Sequence, residues 1–188
     1  YAATAYQDAV GYYDRALACM DLDGNRSLTD KFDVALSRCE ARRASGADAA
    51  ALNAEFQALA DQAERMGDTQ RFAQAVLGYT GQRTQRFTLT RFIGSTSSQE
   101  IALIERALAA LGDAPSEPRA LLLCSLMGAL LYSRDSTRRQ QAGDEALSIA
   151  RSLGRPVLLV RVLCTQIYCC AYPARAARRL AQVDEVIG

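Results

Sequence analysis

One pattern occurs three times in this sequence, and the repetition constrains the fold more than any other feature. The copies occupy residues 58–68, 104–113 and 146–156. In each copy a stretch with helical periodicity reaches a bulky apolar residue and then a glycine, and a turn leads into a second, more apolar stretch. Paired helices that recur in this way predict a helical repeat array. Such arrays bind partners more often than they catalyse reactions, so the pattern favours a binding function.

The residues at the ends of these stretches support the repeat interpretation. Gly67, Gly112 and Gly154 each follow Met or Leu. This is the position after a helix where a left-handed residue satisfies the last carbonyls, and glycine adopts that conformation at least cost. Residues suited to N-capping precede three other stretches: Ser27, Asp48 and Ser97.

Periodicity and these end signals together predict nine helices, the first over about 3–20 and the sixth over about 117–134. The later helices pair into hairpins over residues 27–66, 69–112, 116–153 and 156–187. The hairpin starts are about 40 residues apart, between the tetratricopeptide period of about 34 and the HEAT period of about 40–47. Small residues recur where helices should touch: Gly78, Ala107, Gly128, Ala146 and Ala150. We therefore predict an all-α fold, a right-handed superhelix of antiparallel helix hairpins of the tetratricopeptide-like α-solenoid type.

Residues 1–188 are predicted to form a single repeat domain that is a fragment of a longer chain. The first helix would be the second half of a hairpin, and the sequence begins at Tyr1 rather than Met. One segment, residues 81–98, departs from the repeat pattern and is interpreted as an inserted loop. Its three arginines could instead form an arm that contacts a ligand, a phosphate or a neighbouring domain.

Composition excludes several classes of protein. The chain is 49% hydrophobic and 23% charged, as in ordinary globular domains. Its apolar runs are shorter than the roughly 18–20 residues of a membrane span, so no membrane partner is expected. The cysteines lie inside apolar helical runs, as unpaired core thiols do, and the cytoplasm is the default compartment. Six cysteines without a CxxC spacing, and no histidine, argue against a zinc site. We expect neither a metal nor a cofactor.

The charges are unevenly distributed along the chain. Residues 1–66 contain seven Lys or Arg and eleven Asp or Glu, whereas residues 67–188 contain fifteen and ten. Such a split can orient a partner or a neighbouring domain. It is too weak to predict a nucleic-acid surface, and no base-reading helix can be separated from the repeats, so direct nucleic-acid binding is not expected.

The sequence lacks the residues that common catalytic mechanisms need. The single lysine, Lys31, is not part of a glycine-rich phosphate loop, and no histidine is available as a general base. Arg138 and Arg139 could contact phosphate or an acidic partner, although a solvated basic face is the simpler interpretation. We expect no enzymatic activity.

The repeat residues resemble the tetratricopeptide-like region of large ATP-binding bacterial transcriptional regulators of the LuxR-type, MalT-like kind and of related ATPase proteins. The resemblance covers nearly the whole chain and is carried by residues 13–17, 63–68, 75–78, 104–113, 130–135 and 145–154. It implies a regulatory and interaction domain that receives a small effector or a protein partner and biases neighbouring ATPase and DNA-binding domains of the same chain. The alternative is a general protein-protein interaction scaffold of the tetratricopeptide type.

A groove in such an array would be lined by the first helix of each hairpin. Helical spacing from the small contact residues predicts the lining residues: Tyr79, Ser125, Tyr132 and Gln166, with Thr165 as the alternative to Gln166. The two tyrosines could equally pack between helices without contacting a ligand.

Overall fold

The computed structural model describes residues 2–23, 27–81, 97–169, 180–181 and 183–185. Within these ranges the regular secondary structure is entirely α-helical, with no strand. This confirms the all-α class predicted from periodicity. The predicted insertion at residues 81–98 falls almost wholly on residues 82–96, which lie outside the described residues.

The chain divides into two compact units, residues 1–84 and residues 85–188. The helices of the first unit are α1 (Ala2–Asp23), α2 (Leu28–Ala44), α3 (Ala49–Arg65) and α4 (Thr69–Tyr79). Those of the second unit are α5 (Ser98–Leu111), α6 (Glu117–Ala129), α7 (Ser136–Leu153) and α8 (Pro156–Cys169). Residues 180–181 and 183–185 are helical as well. A single array over residues 1–188 and its superhelical form stay predictions.

Polar side chains cap most of the helix starts. Each accepts a hydrogen bond from a backbone N–H in the first turn, as the three N-caps predicted from sequence should. The capping residues of α2 to α7 are Ser27, Asp48, Asp68, Ser97, Ser116 and Asp135. At the other ends, the three predicted glycines have φ angles of 61° to 68°. The predicted N-caps are therefore confirmed. All three glycines have a positive φ, but Gly154 is in the left-handed helical conformation whereas Gly112, with a ψ of −169°, is not.

The first unit is built around α2, which packs against α1, α3 and α4. The tightest approach within it joins α3 to α4, where the fully buried ring of Phe56 lies against Gly78. A Cβ at residue 78 would lie 2.6 Å from Phe56 Cδ1, closer than real contacts allow. An ion pair also ties α4 to α2, because Arg71 Nη2 donates to Asp33 Oδ2 at 2.7 Å. The absent side chain at residue 78 thus lets two helices meet.

The second unit repeats this packing scheme. The first helix of a hairpin, α6, packs against its partner α7 and also against the next first helix, α8, just as α2 packs against α3 and α4. Helix α7 approaches α6 and α8 most closely at Gly143, because a Cβ there would lie 3.0 to 3.2 Å from side-chain atoms of Gln166 and Met127. The hairpins predicted over residues 27–66 and 116–153 are therefore present, whereas the hairpin predicted over residues 69–112 is divided between the two units. All five predicted small contact residues are buried.

Helix α6 is shorter than predicted. Periodicity indicated a helix to about residue 134, whereas α6 ends at Ala129 and the chain turns through residues 130–135. The buried side chain of Arg139 explains this end, because its Nη1 donates to the carbonyls of Leu130 and Leu131 at 2.7 and 2.9 Å. A cation from the next helix thus binds two carbonyls at the end of α6, of which that of Leu130 also accepts a hydrogen bond from the backbone N–H of Ser133 at 3.0 Å.

Candidate interaction site

The four residues predicted to line a groove occupy different environments. Tyr79 is the last residue of α4, in the first unit, and is half-buried. The other three belong to the second unit. Tyr132 lies in the turn after α6 and is 58% exposed, while Ser125 and Gln166 are buried. Helical spacing can set the direction of the Tyr132 side chain only if α6 continues through residue 132, and α6 ends before it.

The buried polar side chains on α6 and α8 make hydrogen bonds inside the protein. Ser125 Oγ donates to the carbonyl of Leu121 at 3.1 Å, in the same helix. Gln166 Nε2 donates to Asp144 Oδ1 of α7 at 3.3 Å. Thr165, the alternative to Gln166, is also buried and donates to the carbonyl of Arg161 at 2.9 Å. A role for these residues in ligand binding stays a prediction.

An open apolar groove lies on the other side of α8. It is lined by Pro156, Val157, Val160 and Arg161 and has a cavity volume of about 310 Å³. Val157 is 62% exposed and Val160 is 40% exposed, although both are large apolar residues. The opposite face of α8 lies in the core of the unit: Leu158, Val162, Leu163, Thr165, Gln166 and Cys169. Helix α8 is therefore apolar on two faces, and only one of them is buried.

The sequence contains an apolar run at this groove, but such a run does not show whether the helix is buried on all sides or exposed on one. The run from Val157 to Cys164 is apolar except for Arg161, and a helix that is apolar all round is normally a buried one. Helix α6 fits that expectation, because every residue from Arg119 to Gly128 is buried. Helix α8 does not.

Arg161 gives the groove a charged edge. Burial lowers the pKa of its guanidinium, and the neighbouring Cys124 and Glu117 side chains oppose that shift. An arginine nevertheless stays protonated throughout the physiological range. The neighbouring Arg155 forms an ion pair with Glu117. Glu117 therefore pairs with Arg155 and also acts on the charge of Arg161.

Three arginines that the sequence did not single out as structural serve the fold. Arg119 Nε donates to Glu145 Oε1 at 2.7 Å, and its Nη1 donates to the carbonyl of Gly112 at 2.5 Å. It therefore joins α5, α6 and α7. Arg139 caps the end of α6, and Arg138 pairs with Glu105. The predicted solvated basic face at residues 138–139 is thus wrong for Arg139, because the carbonyls at the end of α6 hold its guanidinium inside the protein.

The described cysteines behave mainly as core residues. Cys39, Cys124 and Cys169 are buried, Cys164 is half-buried and Cys19 is exposed. Burial is the largest cause that raises the pKa of Cys39 to about 12, and a hydrogen bond to Glu55 adds to it. Burial raises the pKa of Cys124 to about 12 as well. Both thiols therefore stay protonated and unreactive near neutral pH.

Among the described residues, no group of three or more Cys, Asp or Glu side chains is arranged to hold a metal ion. None of the helices formed by these residues is long and apolar enough to cross a membrane.

No protein-family model matches the sequence, and no curated protein or solved structure is significantly similar to the chain.

Proposed function

We propose that this chain is a regulatory and interaction domain of helix hairpins that belongs to an ATP-dependent transcriptional regulator. The observation that carries the binding part of the proposal is the groove on α8. Its two valines are exposed beside a charged residue, and exposed apolar side chains with a polar rim can form part of an interaction site. The link to a transcriptional regulator rests on the resemblance of the repeat residues alone.

Binding at this groove would act through a shift in populations. A partner or small effector that binds one arrangement of the hairpins more tightly than another favours that arrangement by its difference in binding free energy. Neighbouring ATPase and DNA-binding domains of the same chain would then dock differently. In this proposal the chain itself holds no cofactor, performs no chemistry and makes no direct contact with nucleic acid.

The second candidate is a general protein-protein interaction scaffold of the tetratricopeptide type. The same groove favours it, because an apolar groove on a helix hairpin can hold a partner without any switch nearby. The two candidates differ in the consequence of binding: a regulator changes the transcription of a defined set of genes, whereas a scaffold changes only which proteins assemble.

The double substitution Val157→Asp, Val160→Asp in the native gene tests the proposal. Both side chains are substantially exposed, and an acidic residue at position 157, in the first turn of α8, is favourable, so the protein should stay folded. Leu28→Asp is the matched control, since Leu28 is 63% exposed in the first turn of α2.

We expect the double variant, but not the control, to lose the regulated change in transcript levels under the conditions that induce the native protein. If transcripts are unchanged while a co-purifying partner is lost, the scaffold is correct. If neither changes and both variants melt at the temperature of the native protein, the groove is not the interaction site.

A further inference from the structure

Helix α1 is covered on one side only. Among the described helices it packs mainly against α2. The side chains described for α1, at residues 5–23, are all half-buried or exposed, whereas α2 to α8 each contain buried residues. Tyr12 is 67% exposed and Leu22 is 88% exposed. Most helices in proteins are stabilised by an apolar face that packs against a neighbour, so α1 offers an open side to a further helix.

Ion pairs show which side of α1 faces α2. Asp14 pairs with Arg38, and Asp21 pairs with Lys31. Four residues lie together on the side of α1 that points away from these aspartates, and their spacing of four, three and four residues is that of the core positions of a coiled coil. We call them the open stripe: Ala5, Ala9, Tyr12 and Ala16. All four are half-buried or exposed.

Two opposite charges lie along one edge of the open stripe. Asp8 and Arg15 are seven residues apart, about two helical turns, so they lie on the same edge. Neither forms an ion pair with a described residue. The guanidinium carbon of Arg15 lies 4.6 Å from the centroid of the Tyr12 ring, which places this side chain beside the stripe. The edge is therefore negative towards the start of the helix and positive towards its end.

This order of charges is self-complementary. A helix that packs on the stripe in the opposite direction meets Asp8 with a positive residue and Arg15 with a negative one if it has the sequence of α1 itself. In a parallel pair of α1 helices, the edges that carry these charges would lie on opposite sides of the interface, and the charges would not meet. The charges therefore select a second copy of the chain in antiparallel orientation.

We propose that two copies of this chain associate through their α1 helices, which pack antiparallel along the open stripe. Asp8 of each copy pairs with Arg15 of the partner subunit. Tyr12 of each copy packs against Ala9 of the partner subunit, so that a large side chain meets a small one at each of these positions. The inference is independent of the groove on α8 and of what that groove binds.

Sedimentation equilibrium of the purified chain over a range of concentrations tests the proposal. We expect a dimer whose dissociation constant rises at least about tenfold in Asp8→Arg and in Arg15→Asp, because each change places like charges opposite one another. Combining both changes in one chain restores opposite charges and should restore the dimer. Gln7→Arg is the matched control, since Gln7 is exposed one residue from Asp8 but on the side of α1 away from the open stripe, and it should associate as the native chain does.

Mixing the two single variants gives the sharpest test. Asp8→Arg has two positive residues at the edge and Arg15→Asp has two negative ones, so a copy of one complements a copy of the other. We expect heterodimers in the mixture, measured by energy transfer between a donor-labelled and an acceptor-labelled variant, although each variant alone associates weakly. Damage to the fold of either variant would not produce this result.

Three results would overturn the proposal. The native chain may not stay monomeric at millimolar concentration, as it would if a different helix covers the stripe. The dimer may not be indifferent to both single charge changes, since another face would then hold the two copies together. The mixture of the two variants must contain heterodimers.

Discussion

Replacing Gly78 by alanine should destabilise the protein, although alanine is the better helix former. Gly78 lies inside α4, and the ring of Phe56 occupies the space that a Cβ would need, with Cδ1 at 2.6 Å and Cε1 closer still. The ring has little room to move. Phe56 is fully buried, and the guanidinium carbon of Arg43 lies 4.8 Å from the ring centroid.

Two opposing effects set the size of the change. An extra methyl group in a packed core costs about 1–3 kcal/mol, and replacing glycine by alanine inside a helix gains about 0.5–1 kcal/mol. Because the contact is so close, we take the upper end of the cost and expect a net loss of about 2 kcal/mol. The melting temperature should fall by about 4–8 °C if the chain unfolds as a whole, and by about 8–16 °C if residues 1–84 unfold by themselves.

Two other glycines provide matched controls in the same thermal-unfolding assay. A Cβ at Gly11 would find only Arg15 Nη1, at 3.8 Å, so Gly11→Ala should stabilise the protein by about 0.5–1 kcal/mol. At Gly143 the nearest atoms are the flexible ends of Gln166 and Met127, so the change there should be smaller than at Gly78. If Gly78→Ala melts at or above the native temperature while Gly11→Ala rises as expected, helices α3 and α4 do not approach each other in this way.

Four further predictions concern buried charges, caps and thiols. Arg119→Met should cost about 2–3 kcal/mol in urea unfolding, because it removes charge-assisted hydrogen bonds that join three helices; stability equal to that of the native chain would show that the cluster contributes nothing. Asp68→Ala should destabilise α4 by about 1 kcal/mol, because it removes the N-cap of this helix. Asp68→Asn should lose much less, since an asparagine side chain can also cap the helix. Equal losses of stability in the two variants would contradict the capping role. Ellman's reagent at neutral pH should modify Cys19 rapidly and leave Cys39 and Cys124 unmodified until the protein unfolds. Since burial raises the pKa of both thiols, their contribution to stability is complete below about pH 9 and is lost as the pH rises towards about 12. The free energy of unfolding of the native chain should therefore fall over this pH range relative to that of a Cys39→Ala, Cys124→Ala variant. The same pH dependence in both proteins would contradict the raised pKa values.

Helix ends could be predicted wherever the signal is local. The N-caps at Ser27 and Asp48 and the left-handed glycines at 67 and 154 depend on backbone groups within a few residues. The end of α6 was predicted wrongly because its cause is not local. Apolar periodicity continues past Ala129, but the guanidinium of Arg139, in the next helix, holds the carbonyls of the two residues after it.

The candidate site depends on long-range packing in the same way. The runs that form α6 and α8 both predict helices that are apolar all round, and nothing within either run says which face a neighbour covers. In the structure Ser125 on α6 is buried, whereas Val157 and Val160 on α8 are open. The exposed face of α8 is therefore recognisable only from the structure, which shows the side of the helix that its neighbours cover.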